Sequence, residues 1–87
     1  MAEKEQQVGI VANFFARPSV AAVKVTDGSI KQGDVLRFSG HTTEFTDKVM
    51  SMQINNQPVD EAKPGDFIGI KVSERVREND KVYKVIE

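Results

Sequence analysis

The chain has 87 residues, no cysteine and a single histidine, with 12 basic against 13 acidic side chains and a net charge of −1. That length limits it to one domain, and the composition excludes both a disulfide framework and a structural zinc site built on His41 alone. Charge is balanced along the chain, with three basic and three acidic side chains in residues 1–30 and six of each in residues 61–87, which argues against strong non-specific nucleic-acid binding.

A domain this small buries only about 60–65% of the surface of its unfolded chain. Without staples, an efficient core is its route to stability, and a sheet closed into a barrel supplies one. No apolar run approaches the ~20 residues of a membrane span. Residues 1–7 read as a polar tail and not a signal peptide, with the domain at 8–87, and the expected location is cytoplasmic.

The hydrophobic period is two. Val8 to Phe15 is the first predicted strand, apolar on both faces. Phe14 and Phe15 cannot both face one core, so one of them is either covered by neighbouring chain or exposed in a binding patch. Arg17-Pro18-Ser19 breaks the run, and Val20 to Val25 follows as the second strand. Asp27-Gly28 and Gly33-Asp34 are turn signals before a strand at Val35 to Ser39. The polar connection Gly40-His41-Thr42-Thr43 leads into a long strand from Phe45 to Ile54, in which Met50, Met52 and Ile54 alternate with polar residues and read as core. Breaks at Asn55-Asn56-Gln57-Pro58 and Lys63-Pro64-Gly65-Asp66 bracket the next connection. Strands at Phe67 to Val72 and Lys81 to Ile86 complete the set, separated by a solvated mixed-charge segment from Ser73 to Asp80. The result is an all-β domain of about six strands, with Leu36, Phe38, Met52, Ile54, Ile68, Ile70 and Val72 as the expected core.

The motifs carry little chemistry. Gly28 and Gly33 have the glycine spacing of a P-loop, but Asp34-Val35 stands where Lys-Ser/Thr is needed, and the glycines lie between two strands. No nucleotide binding is expected. His41 with Glu44 and Asp47 is a weak metal-like set that reads better as an ordinary loop, and no partnered nucleophile accompanies it. The chain is therefore expected to be no enzyme and to need no cofactor.

Two stretches carry a family resemblance. Val20-x-x-x-x-Val25-x-x-Gly28-x-Ile30-Lys31-x-Gly33 resembles the opening of the second domain of elongation factor Tu and elongation factor 1-alpha, and Val49-x-Ser51-Met52 with Glu61-Ala62-Lys63-Pro64-Gly65-Asp66-Phe67-Ile68-Gly69-Ile70-x-Val72 resembles its end. The resemblance covers residues 19–72. It implies a six-stranded closed antiparallel β-barrel of the translation-factor domain 2 type, here as a free-standing translation-elongation-factor-like protein without the GTPase domain. In the family this barrel helps hold the aminoacyl end of transfer RNA. The family's acidic pair falls at Gly9 and Ile10, its stacking phenylalanine at Ala12 and its pocket threonine at Ala22, so that ligand's partners are missing. Only Asn55 and Asn56 keep the polar character of the family pocket.

The Gly40 to Thr46 connection is about two residues longer than in elongation factor 1-alpha, and loops carry function on rigid scaffolds. The expected partner-binding surface is therefore His41, Thr42, Thr43, Glu44 and Phe45, with Asn55 and Asn56. The alternative is that Phe45 plugs one end of the barrel and the asparagines form a turn. Two functions remain open: a non-catalytic module associated with translation through RNA or ribosomal partners, and a protein–protein interaction barrel unrelated to translation.

Overall fold

Ten strands make up the fold in a computed structural model that describes residues 4–17 and 19–86. They are β1 (Lys4–Phe15), β2 (Val20–Val25), β3 (Ile30–Lys31), β4 (Val35–Ser39), β5 (Glu44–Lys48), β6 (Met52–Ile54), β7 (Gln57–Val59), β8 (Glu61–Ala62), β9 (Phe67–Lys71) and β10 (Lys81–Ile86). Eight form one antiparallel sheet in the order β5-β4-β10-β1-β2-β9-β6-β7, and β3 pairs with β8 in a second, two-stranded sheet. Among the described residues there is no helix. Lys4 to Gln7, expected in the polar tail, belong to β1 and pair with β10. Pro18, the centre of the expected break after the first strand, lies outside the described residues.

The expected six-stranded closed barrel needs correction in both count and closure. Among the described residues no pairing joins the outer strands β5 and β7, so the large sheet is not hydrogen-bonded into a ring. The cause lies in the segment read as one long strand, Phe45 to Ile54. It breaks at Val49–Ser51, where the Val49 N–H donates to Asp34 O and its carbonyl accepts from the Gly33 N–H, both at 2.8 Å. The halves then go to opposite ends of the sheet, β5 onto β4 and β6 onto β9. Met50, expected in the core, falls in this break and is 69% exposed.

The sheet nevertheless curls around one core. Leu36 and Phe38 from β4, Met52 from β6, and Ile68, Ile70 and Val72 are all buried in a single cluster. Ile54 is only partly buried against it. Val76 joins that core from within the mixed-charge segment, so Ser73 to Asp80 is not solvated throughout.

A local device repeats three times. Lys31-Gln32-Gly33-Asp34, Lys63-Pro64-Gly65-Asp66 and Arg77-Glu78-Asn79-Asp80 each form a tight turn in which the aspartate N–H donates to the carbonyl of the basic residue, at 3.0, 3.0 and 3.2 Å. The third residue has φ of +96°, +96° and +72°, the left-handed region open to Gly and tolerated by Asn. In each turn the aspartate Oδ2 also accepts the N–H of the basic residue, at 2.7, 2.9 and 2.9 Å. These turns lead into β4, β9 and β10. Asp66→Ala should therefore lower stability by about 1 kcal/mol, measured by urea unfolding. Asp66→Asn, which keeps an acceptor oxygen, should recover part of the loss, and equal losses in the two variants would rule out the hydrogen bond as the cause.

Candidate functional site

The inward phase of the strands is apolar, so function must come from the outward phase or the loops. Cross-strand partners share a face of the sheet. On β2, Ala21 and Val23 point into the core, leaving Val20, Ala22 and Lys24 outside. Their neighbours in register form three outward rows: Phe15, Val20 and Lys71; Asn13, Ala22, Gly69 and Gln53; Ile10, Lys24 and Phe67. The middle row has small residues at its centre. Ala22 and Gly69 therefore make a low floor, and a Cβ added to Gly69 would already lie 3.3 Å from Val20 Cγ1.

The floor lies in a cleft of about 470 Å³ whose walls are Phe15 and Phe67. These rings are 51% and 58% exposed, an unusual position for large apolar side chains. Gln53, Asn55 and Asn56 supply the amide groups of the lining and Arg17 its cation; among the described residues no carboxylate lines the cleft. Lys24 Nζ lies 5.7 Å from the centroid of the Phe67 ring, a cation–π contact that holds a second positive charge at the rim.

Phe15 reaches the cleft because β1 is irregular. Its register against β2 shifts between Val11 and Asn13, which lets Phe14 pack on the core while Phe15 turns outward. Of the two alternatives for this pair, Phe15 takes the exposed one. Asn55 and Asn56 are the two central residues of the β6–β7 hairpin, with φ of +52° and +66°, as a primed two-residue turn requires. They thus make the turn and also line the cleft. Ala22 lies in the same cleft.

The other expected site residues lie elsewhere. His41 lines a separate cavity with Glu78, Asp80 and Tyr83, so the structure does not bring the 41–45 segment and Asn55-Asn56 into one site. Thr43 is buried, and its carbonyl closes the hairpin by accepting from the Gly40 N–H at 2.8 Å. Phe45 is partly buried and stacks on Phe38 with ring centroids 5.0 Å apart. Thr42 is exposed. Glu44 accepts from the Arg37 guanidinium at 2.8 Å, as does Glu5, and Arg37 also sits 4.7 Å from the centroid of the Tyr83 ring. The hydrogen bonds to Glu5 and then Glu44 hold the Arg37 pKa above its ordinary value. Asp47 accepts from the Ser73 N–H at 2.8 Å. Among the described residues no group of three or more His, Cys, Asp or Glu is placed to hold a metal ion. Among the described residues no helix is long and apolar enough to cross a membrane.

With this geometry in place, the comparisons define the class. Residues 19–75 match the family model described as elongation factor Tu domain 2, and the chain belongs to that family. It is 39% identical over 82 residues to an uncharacterized protease of Methanocaldococcus jannaschii, covering 93% of this chain and 20% of that protein. It is 35% identical over 78 residues to a collagenase of Porphyromonas gingivalis, covering 88% of this chain and 22% of that one. The chain thus spans about a fifth of the length of the curated relatives it matches. The C-terminal domain of a putative U32 peptidase from Geobacillus thermoleovorans has the same fold, with a TM-score of 0.84 at 20% identity over 91% of both chains. GDP-bound aIF5B from Aeropyrum pernix matches at a TM-score of 0.62 and 21% identity, over 94% of this chain and 14% of that one. The domain 2 resemblance stands. The expected kinship with a free-standing elongation factor gives way to kinship with domains carried by proteins named as peptidases.

Proposed function

We propose that this chain is a non-catalytic binding module of the peptidase-borne kind, and that it holds its partner in the cleft between Phe15 and Phe67. The observation that carries this reading is the pair of outward phenylalanines over the Ala22–Gly69 floor. Leaving two large apolar side chains about half exposed forgoes roughly half of the 1.5–3 kcal/mol that full burial of each is worth, and a partner that covers them recovers it. The relatives named as protease and collagenase devote about a fifth of their length to a region like this one. A partner-holding role beside a catalytic body fits that proportion.

A second reading, association with translation through RNA or ribosomal partners, draws on the family match and on the likeness to aIF5B. Affinity capture from native lysate, with and without ribonuclease, separates the two. The leading reading expects a partner that survives ribonuclease and is lost when Ala22→Leu raises the cleft floor, with the thermal midpoint unchanged. Capture abolished by ribonuclease would favour the translation reading. Undiminished capture by Ala22→Leu would remove the cleft from either reading and return the 41–45 hairpin as the candidate.

A further inference from the structure

The cleft has an electrostatic character that the chain as a whole lacks. Against a net charge of −1, Arg17 lines it and Lys24 lies over the Phe67 ring at its rim. Among the described residues no carboxylate lines the cleft, so these two cations have their complement in the ligand.

The ring positions set a length. Phe15 sits in the row of Val20 and Phe67 in the row of Lys24, four residues further along β2 and on its other side. At ~3.3 Å per residue and ~4.8 Å per strand spacing, the two backbone positions are roughly 13 Å apart along the strands and 9.6 Å across them. An extended chain covers that diagonal of roughly 16 Å in about five residues. On the β6 side of the cleft, Gln53 beside Gly69 and Asn55 in the β6–β7 turn present side-chain amides, each carrying both donor and acceptor, as a peptide backbone requires.

Resting on the reading above, we infer that the cleft binds an extended acidic peptide segment with two apolar side chains about five residues apart, one on Phe15 and one on Phe67. Carboxylates of the segment meet Arg17 and Lys24, and the amides of Gln53 and Asn55 flank its backbone on the β6 side. A polyanionic strand is the poorer occupant. The cations stand at the corners of a cleft and not along a track, and the acidic balance of the chain opposes the long-range attraction on which polyanion binding depends.

The test is fluorescence anisotropy on the full chain with the fluorescein-labelled hexapeptide Phe-Asp-Glu-Asp-Glu-Phe. The controls are the same peptide with lysines for its acids, with serines for its phenylalanines, and a hexauridylate. The acidic peptide should bind saturably. Phe67→Ala should weaken it about tenfold or more, as expected for an anchor residue. The double variant Arg17→Glu, Lys24→Glu should reverse the preference toward the lysine peptide, a result that damage to the fold would not produce. No saturable binding of the acidic peptide, equal binding of the lysine peptide by the unmodified chain, or tighter binding of the hexauridylate each overturns the inference. If the peptide fails while Ala22→Leu still abolishes capture from lysate, only the ligand class falls. If Ala22→Leu leaves capture intact, the cleft itself is the error.

Discussion

Replacing Ile70 by Ala should cost about 2–5 kcal/mol, the range for removing a fully buried branched side chain whose space cannot collapse. Ile70 lies at the centre of the core, its strand position paired with Ala21 on one side and Met52 on the other, and it is 2% exposed. Domains are stable by only about 5–15 kcal/mol in total, and a small one lies toward the low end. The variant should therefore be largely unfolded near physiological temperature. Urea unfolding followed by circular dichroism gives the number. Lys71→Ala, one residue away on the outward face, serves as the control, with an expected change within about 0.5 kcal/mol. A loss below that limit for Ile70→Ala would mean that the β2–β9–β6 core is wrongly placed.

The second large effect is expected at Gly40, where the expected loop turns into a tight hairpin. A Cβ added there would overlap Asp80 Oδ1. Asp80 cannot give way cheaply, because it is buried and its Oδ2 accepts the Arg77 N–H at 2.9 Å in the turn leading into β10. Gly40→Ala should cost about 1–3 kcal/mol through overpacking, and Asp80→Ala about 1–3 kcal/mol through the lost buried acceptor. Made together they should cost less than their sum by more than about 0.5 kcal/mol, since removing the carboxylate also removes the clash. Strict additivity in thermal or urea unfolding would show that the Gly40–Asp80 contact is not what makes glycine necessary.

These effects show which parts of the structure the sequence makes legible. Ile68, Ile70 and Val72 alternate cleanly, as do Leu36 and Phe38, and each is buried as the period predicts. Met50, Met52 and Ile54 alternate just as cleanly, yet Met50 faces solvent. The difference is the backbone of Val49, held by the distant turn at Gly33 and Asp34, a tertiary contact that leaves no local trace. Of the three basic-x-Gly/Asn-Asp turns, the first two read from sequence only as turn and break signals and the third falls in the segment expected to be solvated; the hydrogen bonding they share is visible only in the structure. The cleft was legible in fragments. The impossibility of burying both Phe14 and Phe15, the outward phase of Phe67 and the Asn55-Asn56 pair were all in view. What brings them to one place is the order β1-β2-β9-β6, which no local pattern encodes.

The open sheet has a consequence for how partners approach. Its two outer strands carry unsatisfied backbone groups, the usual template for adding a foreign strand and the usual seed of aggregation. Both are blunted. β7 is three residues long with Pro58 at its middle, which can donate nothing to an incoming chain. β5 carries Glu44, Asp47 and Lys48 in five residues, charges that an added strand would have to desolvate or match. Recognition by lengthening the sheet is thereby discouraged at either rim, and a visiting chain is left to lie across the strands, side chain against side chain.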